Sequence, residues 1–172
     1  MPVVELGHVG LHVNDLTSMR EFYEDVLGLT HTDSDEEAGM VFLSSRPELE
    51  HHELLLCGGR DAPIGAQLIQ QVAFRSESID DVREVHQKLV QHGAKIDMTV
   101  SHGNAVGVYF YDPEGNRVEV YCRTDFEARQ PFIHSVDLTA SVDDVTDHVR
   151  KMAEEHGETG YVEQALIAKQ NI

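Results

Sequence analysis

The sequence predicts an α+β protein made of two consecutive βαβββ modules followed by a C-terminal strand–helix extension. Short segments that alternate apolar and polar residues are interspersed with segments of helical periodicity, in the same order in both halves. Gly28 and Gly93 lie 65 residues apart, and so do Cys57 and Cys122. One module alone would leave an apolar sheet face uncovered. The two modules are therefore expected to pair their curved sheets around a cavity for a metal or ligand.

The first module is predicted at about residues 1–60. HVGLHVN alternates as a strand does. A helix is expected to begin at Thr17 or Ser18 and to end at Gly28, because these residue types are common helix caps. MVFLS and HELLLC predict two further strands, and the acidic segment THTDSDEE between the helix and these strands is expected to be a solvated loop.

The second module is predicted at about residues 66–123 and completes a domain over 1–123. QVAFRS predicts its first strand, and Ser78 or Asp80 is expected to cap a helix that stops at Gly93. VGVYFY and RVEVYC predict two more strands joined by the turn Asp-Pro-Glu-Gly-Asn. Proline at the second position and glycine at the fourth suit a type I turn.

The C-terminal extension covers residues 124–172. Phe132 to Thr139 predicts a strand, Ser141 with Asp144 resembles a capping box, and the helix that follows should stop at Gly157. VEQALIAK predicts another short helix. The apolar stripe of the longer helix requires cover, so we expect the extension to pack on the domain or at an oligomer interface. A third, truncated repeat and an unrelated strand–helix unit both remain open.

Composition excludes several classes of function. The chain has 172 residues, 31 acidic against 13 basic, and a net charge of −18. Nucleic acid and anionic membranes are unsuitable partners because both require Lys and Arg at the contact. No apolar stretch approaches a membrane span, the N-terminal segment does not resemble a signal peptide, and the two cysteines form no CxxC pair, so a cytoplasmic location is expected. A salt-adapted source and an ordinary acidic protein both remain open.

Candidate site residues occupy corresponding strand positions in the two modules. Side chains alternate along a strand, so His8 shares a face with His12, and Gln71 shares one with Arg75. With the two cysteines as the anchor, Leu54 corresponds to Glu119. The residues expected to face one cavity are then His8, His52, Gln71 and Glu119. Buried imidazole and carboxylate groups suit a divalent metal. The alternative is that His8 is a satisfied core histidine and that Glu119 pairs with Arg117 or Arg75.

Three segments, GHVGLHVNDL, FYEDVLGL and YFYDPEGNRVEVY, resemble the vicinal oxygen chelate superfamily. That superfamily includes glyoxalase I, bleomycin- and fosfomycin-resistance proteins, and extradiol ring-cleaving dioxygenases. His51-His52 before ELLL, and His102-Gly103 seven residues before Tyr109, resemble the small single-domain extradiol type. QPFIHSVDLTASVDDV is similar to an extension that some of these small proteins carry.

The resemblance implies a set of metal ligands. His8 and Glu119 match two ligand positions, and the third, usually histidine in extradiol enzymes, is Gln71 here. An amide oxygen is as neutral as imidazole but a harder and weaker donor, so we expect a lower affinity for iron. The implied cofactor is Fe(II), with Mn, Ni or Zn as alternatives.

The resemblance also implies catalytic roles. His52 or His102 would be the acid/base and Tyr109 would orient the substrate, while His12 and Arg75 are weaker candidates for the substrate pocket. For each catalytic residue a structural interpretation remains open. In that interpretation His52 is half of a histidine pair at a strand edge, His102 is a solvated loop residue, and Tyr109 is a core aromatic.

The function predicted from these residues is extradiol ring cleavage of a catechol-like aromatic with O2, in aromatic catabolism. One alternative is a glyoxalase-like, metal-dependent isomerase or lyase, which Gln71 favours. Another is a non-catalytic protein of the same fold that binds a small molecule. The partner class is a small molecule, and a homodimer or higher homo-oligomer is expected. Whether modules pair within or between chains remains open.

Overall fold

The computed structural model describes residues 5–66 and 68–166. The chain divides into two compact units, Met1–Leu68 with Asp112–Asn116, and Ile69–Tyr111 with Arg117–Ile172. The elements, in chain order, are β1 (Val9–Val13), α1 (Leu16–Leu27), β2 (Thr30–Asp35), β3 (Met40–Ser44), β4 (Leu54–Gly58), β5 (Val72–Arg75), α2 (Ile79–Gln91), β6 (Ile96–Ser101), β7 (Ala105–Tyr111), β8 (Arg117–Arg123), β9 (Phe132–Ser135), α3 (Val142–His156) and β10 (Tyr161–Val162).

The first unit contains a four-stranded sheet in the order β1-β4-β3-β2. β1 runs parallel to β4, and the other neighbours are antiparallel. Leu11 and Val13 of β1 are buried, whereas Gly10 and His12 on the opposite face are exposed. The core is formed by apolar residues of α1 and of the buried sheet face, including Met19, Phe22, Tyr23, Val26, Leu43, Leu54 and Leu56.

The second unit contains a six-stranded sheet in the order β10-β9-β6-β7-β8-β5. Four neighbouring strands, in the order β5-β8-β7-β6, repeat the arrangement of the first sheet, with β5 parallel to β8. β9 adds antiparallel to β6, and β10 adds parallel to β9. Val145 and Val149 of α3 are buried. These elements confirm the predicted α+β class with two βαβββ modules and a strand–helix extension. Within the described residues, no helix has the length and apolarity needed to cross a membrane.

Most predicted helix boundaries are confirmed. Ser78 caps α2 in a capping box with Asp81, and Ser141 caps α3. The predicted start of α1 is wrong. α1 begins at Leu16, and its N-cap is Asp15, whose carboxylate accepts from the Ser18 N–H at 3.0 Å. Aspartate caps a helix as well as serine or threonine does.

Three strand predictions need correction. The acidic segment is not a loop, because Thr30–Asp35 forms β2 and pairs with β3. Its residues are largely exposed, so no apolar alternation marks it. Residues 96–101, which form β6, were not predicted to be a strand. The predicted strand to Thr139 ends at Ser135, since Asp137 binds the Thr139 N–H in a turn instead. Of VEQALIAK, residues 164–166 are helical, and residues 167–169 lie outside the described residues.

The Asp112–Asn116 turn is confirmed and belongs to the first unit. The Gly115 N–H donates to the Asp112 carbonyl at 2.9 Å. The Asp112 carboxylate is buried and accepts from Tyr23 Oη at 3.0 Å as well as from the Asn116 backbone and side chain. Burial, and then the nearby Asp112 charge, raise the pKa of Tyr23 well above its ordinary value.

The Glu114 carboxylate joins this turn to the start of α1. It is buried and accepts from the backbone N–H groups of Asn14 at 2.5 Å and of Asp15 at 2.9 Å. Arg60 Nη1 lies 3.4 Å from Glu114 Oε2, and both of these side chains are almost fully buried. The acidic turn therefore has a structural role, because its carboxylates satisfy buried donors.

Candidate active site

Glu119 lies on β8, between β7 and the edge strand β5 of the second sheet. It is the register partner of Tyr109 on β7 and of Ala73 on β5, so these side chains share a face. Its side chain passes over Gly107, where an added Cβ would lie 3.2 Å from Glu119 Oε1. Glu119 is 6% exposed. A carboxylate this deeply buried requires polar partners.

Gln71 is the partner of Glu119 and immediately precedes β5. Its Nε2 donates to Glu119 Oε2 at 2.9 Å, and its Oε1 accepts from Arg117 Nη1 at 3.0 Å. Arg117 is held in turn by Asp97, with both Nε and Nη2 at 2.9 Å from Oδ2. A donor on one side and an acceptor on the other fix which end of the amide faces Glu119.

Tyr109 lies against the same group of side chains. The Arg117 guanidinium carbon is 4.2 Å from the centre of the Tyr109 ring, a cation–π contact. Burial is the largest cause that raises the pKa of Tyr109 far above its ordinary value, followed by a hydrogen bond to Glu119 and the charge of that carboxylate. The phenol is therefore protonated at neutral pH and can donate a hydrogen bond.

His102 is half-buried at the end of β6, next to the Tyr109 hydroxyl. Its Nδ1 lies 2.9 Å from the Phe132 carbonyl oxygen, and its Nε2 lies 3.4 Å from Tyr109 Oη. A carbonyl only accepts, so Nδ1 carries a proton, and in the neutral form of the ring the lone pair lies on Nε2, which faces Tyr109 Oη. This geometry favours the acid/base interpretation of His102 over a solvated loop residue.

Arg75 is exposed on β5 and pairs in register with Tyr121. Alternation along the strand puts it on the face that Gln71 and Ala73 share. Among the described residues, Glu119 is hydrogen-bonded to Gln71 and Tyr109 rather than ion-paired with Arg75.

In the first unit, the structure brings His8 and His52 together. Their ring centres are 4.4 Å apart, and Phe42 lies 5.0 Å from the His52 ring. His51 completes the group, with its Nδ1 at 2.9 Å from His52 Nδ1. Burial, followed by the charges of His8 and His51 when protonated, lowers the pKa of His52. His52 is therefore neutral at pH 7 and able to accept a proton.

His8 and His12 are exposed rather than buried in the core of the first unit. His8 immediately precedes β1, and His12 pairs in register with Cys57. The Nδ1 of His12 lies 3.4 Å from the Gly58 carbonyl oxygen. The first unit thus presents imidazole groups on its exposed sheet face, which excludes the satisfied core histidine as an interpretation of His8.

The cysteine-based alignment of the two modules is wrong by one residue. Gly10 pairs with Leu55, and the corresponding Ala73 pairs with Glu119, so Leu55 rather than Leu54 is the counterpart of Glu119. Cys57 lies on the same face of the first sheet as His12. Cys122 is buried on the face of the second sheet that is opposite to Glu119, so the two cysteines do not occupy equivalent positions. His52 reaches His8 because it precedes β4, where strand alternation does not apply.

The sequence did not predict that Arg117 and Asp97 hold the Gln71 side chain in place. Arg117 was considered as a partner of Glu119, but it binds Gln71 and Asp97 instead. Its position two residues before Glu119 was the available signal. Asp97 had none, because it lies where the β6 register shifts between Ile96 and Met98.

Within residues 5–66 and 68–166, no group of three or more His, Cys, Asp or Glu side chains is arranged to hold a metal. The predicted ligand set has only two residues of those types, His8 and Glu119, because Gln71 is the third. The metal ligands therefore remain a prediction.

A family model described as the glyoxalase/bleomycin resistance protein/dioxygenase superfamily matches residues 5–120. The chain belongs to this superfamily. Two curated relatives are biphenyl-2,3-diol 1,2-dioxygenase 3 of Rhodococcus globerulus, 32% identical over 67% of this chain, and metapyrocatechase of Pseudomonas sp. (strain CF600), 29% identical over 74%. The chain spans 61% and 40% of their respective lengths.

A solved structure of another protein has a fold similar to that of this chain. A possible glyoxalase from Bacillus cereus is 25% identical, with a TM-score of 0.55, over 70% of this chain and 100% of the other. The relatives are thus named for more than one activity, so the superfamily is established and the reaction requires an argument from the site.

Proposed function

We propose that this chain is an extradiol-type dioxygenase that cleaves the ring of a catechol-like aromatic with O2. The observation that carries the proposal is the arrangement of His102, Tyr109 and Glu119 on one sheet face. It combines an imidazole whose Nε2 faces the Tyr109 hydroxyl, a protonated phenol and a carboxylate. The names of two relatives, which refer to a biphenyl diol and to pyrocatechase activity, support the substrate class.

The proposed metal ligands are His8, Gln71 and Glu119, with Fe(II) as the first candidate and Mn, Ni or Zn as others. The donor chemistry fits, because imidazole, amide oxygen and one carboxylate carry the same total charge as two imidazoles and one carboxylate. Gln71 Oε1 now accepts from Arg117, so ligation would exchange that hydrogen bond for a metal bond. This competition predicts weaker metal binding than with histidine at position 71.

Bound Fe(II) would supply open coordination positions at which a catechol and O2 can meet. The residues of the chain control protons. His102 Nε2 accepts a proton from a substrate hydroxyl and returns it later in the cycle, and His52, whose pKa is lowered mainly by burial, is the second candidate for this step. The Tyr109 hydroxyl donates to a substrate oxygen as negative charge develops on it. Both atoms of O2 enter the product, so no external reductant is required.

A second candidate is a glyoxalase-like isomerase or lyase, or a non-catalytic protein that binds a small molecule. The observation that favours the isomerase or lyase is again Gln71, whose amide donates to Glu119 and accepts from Arg117. A site without bound iron would be consistent with that arrangement.

The test is oxygen uptake by protein that has been purified anaerobically and loaded with Fe(II). A panel of catechols that includes biphenyl-2,3-diol is supplied, and a yellow ring-fission product is followed by absorbance. We expect O2 consumption and product in equal amounts. His102→Gln should lower kcat by about a hundredfold, as expected for loss of an acid/base. Gln87→Ala, an exposed change on α2, is the matched control.

Iron-loaded protein that consumes no O2 with any catechol would contradict the proposal. Native protein that carries Ni, Zn or Co and no iron would favour the isomerase or lyase, whereas protein that binds the small molecule without a metal would favour the non-catalytic candidate.

A further inference from the structure

The loop that carries His102 is attached to the C-terminal extension. Gln130 Nε2 donates to the His102 carbonyl at 2.9 Å, and Gln130 Oε1 accepts from the Phe132 N–H at 3.1 Å. Thr124 Oγ1 donates to the Gly103 carbonyl at 2.6 Å. The extension packs so closely here that a Cβ on Gly103 would lie 2.4 Å from the Ala128 Cβ. Two segments distant in sequence are thus fixed to each other at the candidate base.

The same segment of the extension contacts the imidazole itself. The Phe132 carbonyl accepts from His102 Nδ1 at 2.9 Å, and the Phe132 side chain is 1% exposed, so this carbonyl is held firmly. Gln130 connects the backbone of His102 to the backbone of Phe132, which sets the distance between the ring and the carbonyl. Without that connection both tautomers of a neutral histidine become accessible.

We propose that Gln130 and the Phe132 carbonyl are positioning groups that keep His102 in its Nδ1–H tautomer, with the lone pair on Nε2, beside the Tyr109 hydroxyl. The superfamily model ends at residue 120, so both groups lie outside the matched region. The extension is therefore part of the active site rather than an appendage to it. The catalytic consequence rests on the proposed function, whereas the tautomer itself does not.

The test uses long-range 1H–15N correlation spectra of histidine rings in the full chain labelled with 15N. His102→Gln identifies the His102 signals by their loss. We expect His102 in the Nδ1–H tautomer. In Gln130→Ala we expect a mixture of tautomers and a kcat about tenfold lower on a catechol, with little change in KM, as expected for a lost orienting hydrogen bond.

Gln130→Glu sharpens the test, because it keeps an acceptor for the Phe132 N–H but removes the donor to His102. It should behave as Gln130→Ala does, whereas Gln87→Ala should leave the His102 signals unchanged. An Nε2–H tautomer in the unsubstituted chain, or an unchanged tautomer in Gln130→Ala, would overturn the proposal. The expected tautomers in protein that turns over no catechol would support this proposal and count only against the proposed function.

Discussion

Each unit contains a buried tyrosine beside a buried carboxylate, and the two pairs differ in their surroundings. In the first unit, the Asp112 carboxylate also accepts from the Asn116 backbone and side chain and from the Glu114 N–H, so its hydrogen-bonding capacity is used within the turn. In the second unit, Tyr109 and Glu119 lie on a sheet face, where His102 Nε2 is 3.4 Å from the Tyr109 hydroxyl. The same chemical pair is structural in a closed turn and a candidate for catalysis on a sheet face.

The largest expected effect concerns the closed turn of the first unit. Glu114→Ala would leave the Asn14 and Asp15 N–H groups and the buried Arg60 charge without their carboxylate. We expect the free energy of unfolding to fall by about 3 kcal/mol, the scale of a broken buried ion pair. Urea denaturation measures the loss, with the exposed Glu36→Ala as control. A loss below about 1 kcal/mol would mean that the turn is not a structural centre.

Tyr109→Phe tests the tyrosine–carboxylate pair of the second unit, Tyr109 and Glu119. It removes the phenol that should donate to a substrate oxygen, so we expect kcat on a catechol to fall by about thirtyfold, whereas the free energy of unfolding should change by only about 1 kcal/mol. Steady-state kinetics and urea denaturation on the same preparation separate the two effects. Unchanged kcat would remove Tyr109 from the catalytic machinery.

Tyr23→Phe is the counterpart in the first unit. It deletes the 3.0 Å hydrogen bond to Asp112 and leaves the Asn116 bonds in place, so we expect a loss of about 1 kcal/mol in stability and no change in kcat. Equal losses of kcat in Tyr23→Phe and Tyr109→Phe would show that the two pairs do not differ as described.

The smallest effect is on the pH dependence of stability. Burial is the main cause that lowers the pKa of His134, which is 2% exposed in β9, while protonated His148 lowers it further and Glu163 opposes the shift. A histidine with a lowered pKa stabilises the fold fully above its ordinary pKa of about 6.5, and this contribution is lost as the pH falls toward the folded-state value. His134→Gln should therefore lose less stability between pH 7 and pH 5 than the unsubstituted chain.

His92→Gln, an exposed change in the same unit, is the control for that experiment. Urea denaturation at several pH values gives the slopes. If the slope of His134→Gln equals that of the control, the acid sensitivity does not come from this buried histidine.

The order of elements could be predicted from the sequence because it depends on local periodicity and caps. Ser78 and the Asp112 turn are examples, since both act within a few residues. β2 was not predicted as a strand, because it is polar and exposed and has no alternation of apolar and polar residues. The alignment of Cys57 with Cys122 failed because equal spacing does not ensure that two residues share a sheet face.

The site was less predictable than the fold. His8, His52 and Glu119 were singled out from strand positions and motifs, whereas the contact between His8 and His52 and the partners of Gln71 come from the structure. Asp97 reaches Arg117 through an irregularity in β6, and Gln130 reaches His102 from 28 residues away. Such contacts depend on the tertiary arrangement of each unit, and no local pattern encodes them.

The central claim is that the Glu119 face holds the metal for ring cleavage, with Gln71 in place of a histidine. The most direct test is an anaerobic Fe(II) titration of the unsubstituted chain, Glu119→Gln and Gln71→His, with the exposed Glu77→Gln as control. We expect about one iron per chain, loss of binding in Glu119→Gln, and binding about tenfold tighter in Gln71→His. Iron bound with unchanged affinity by Glu119→Gln would contradict it.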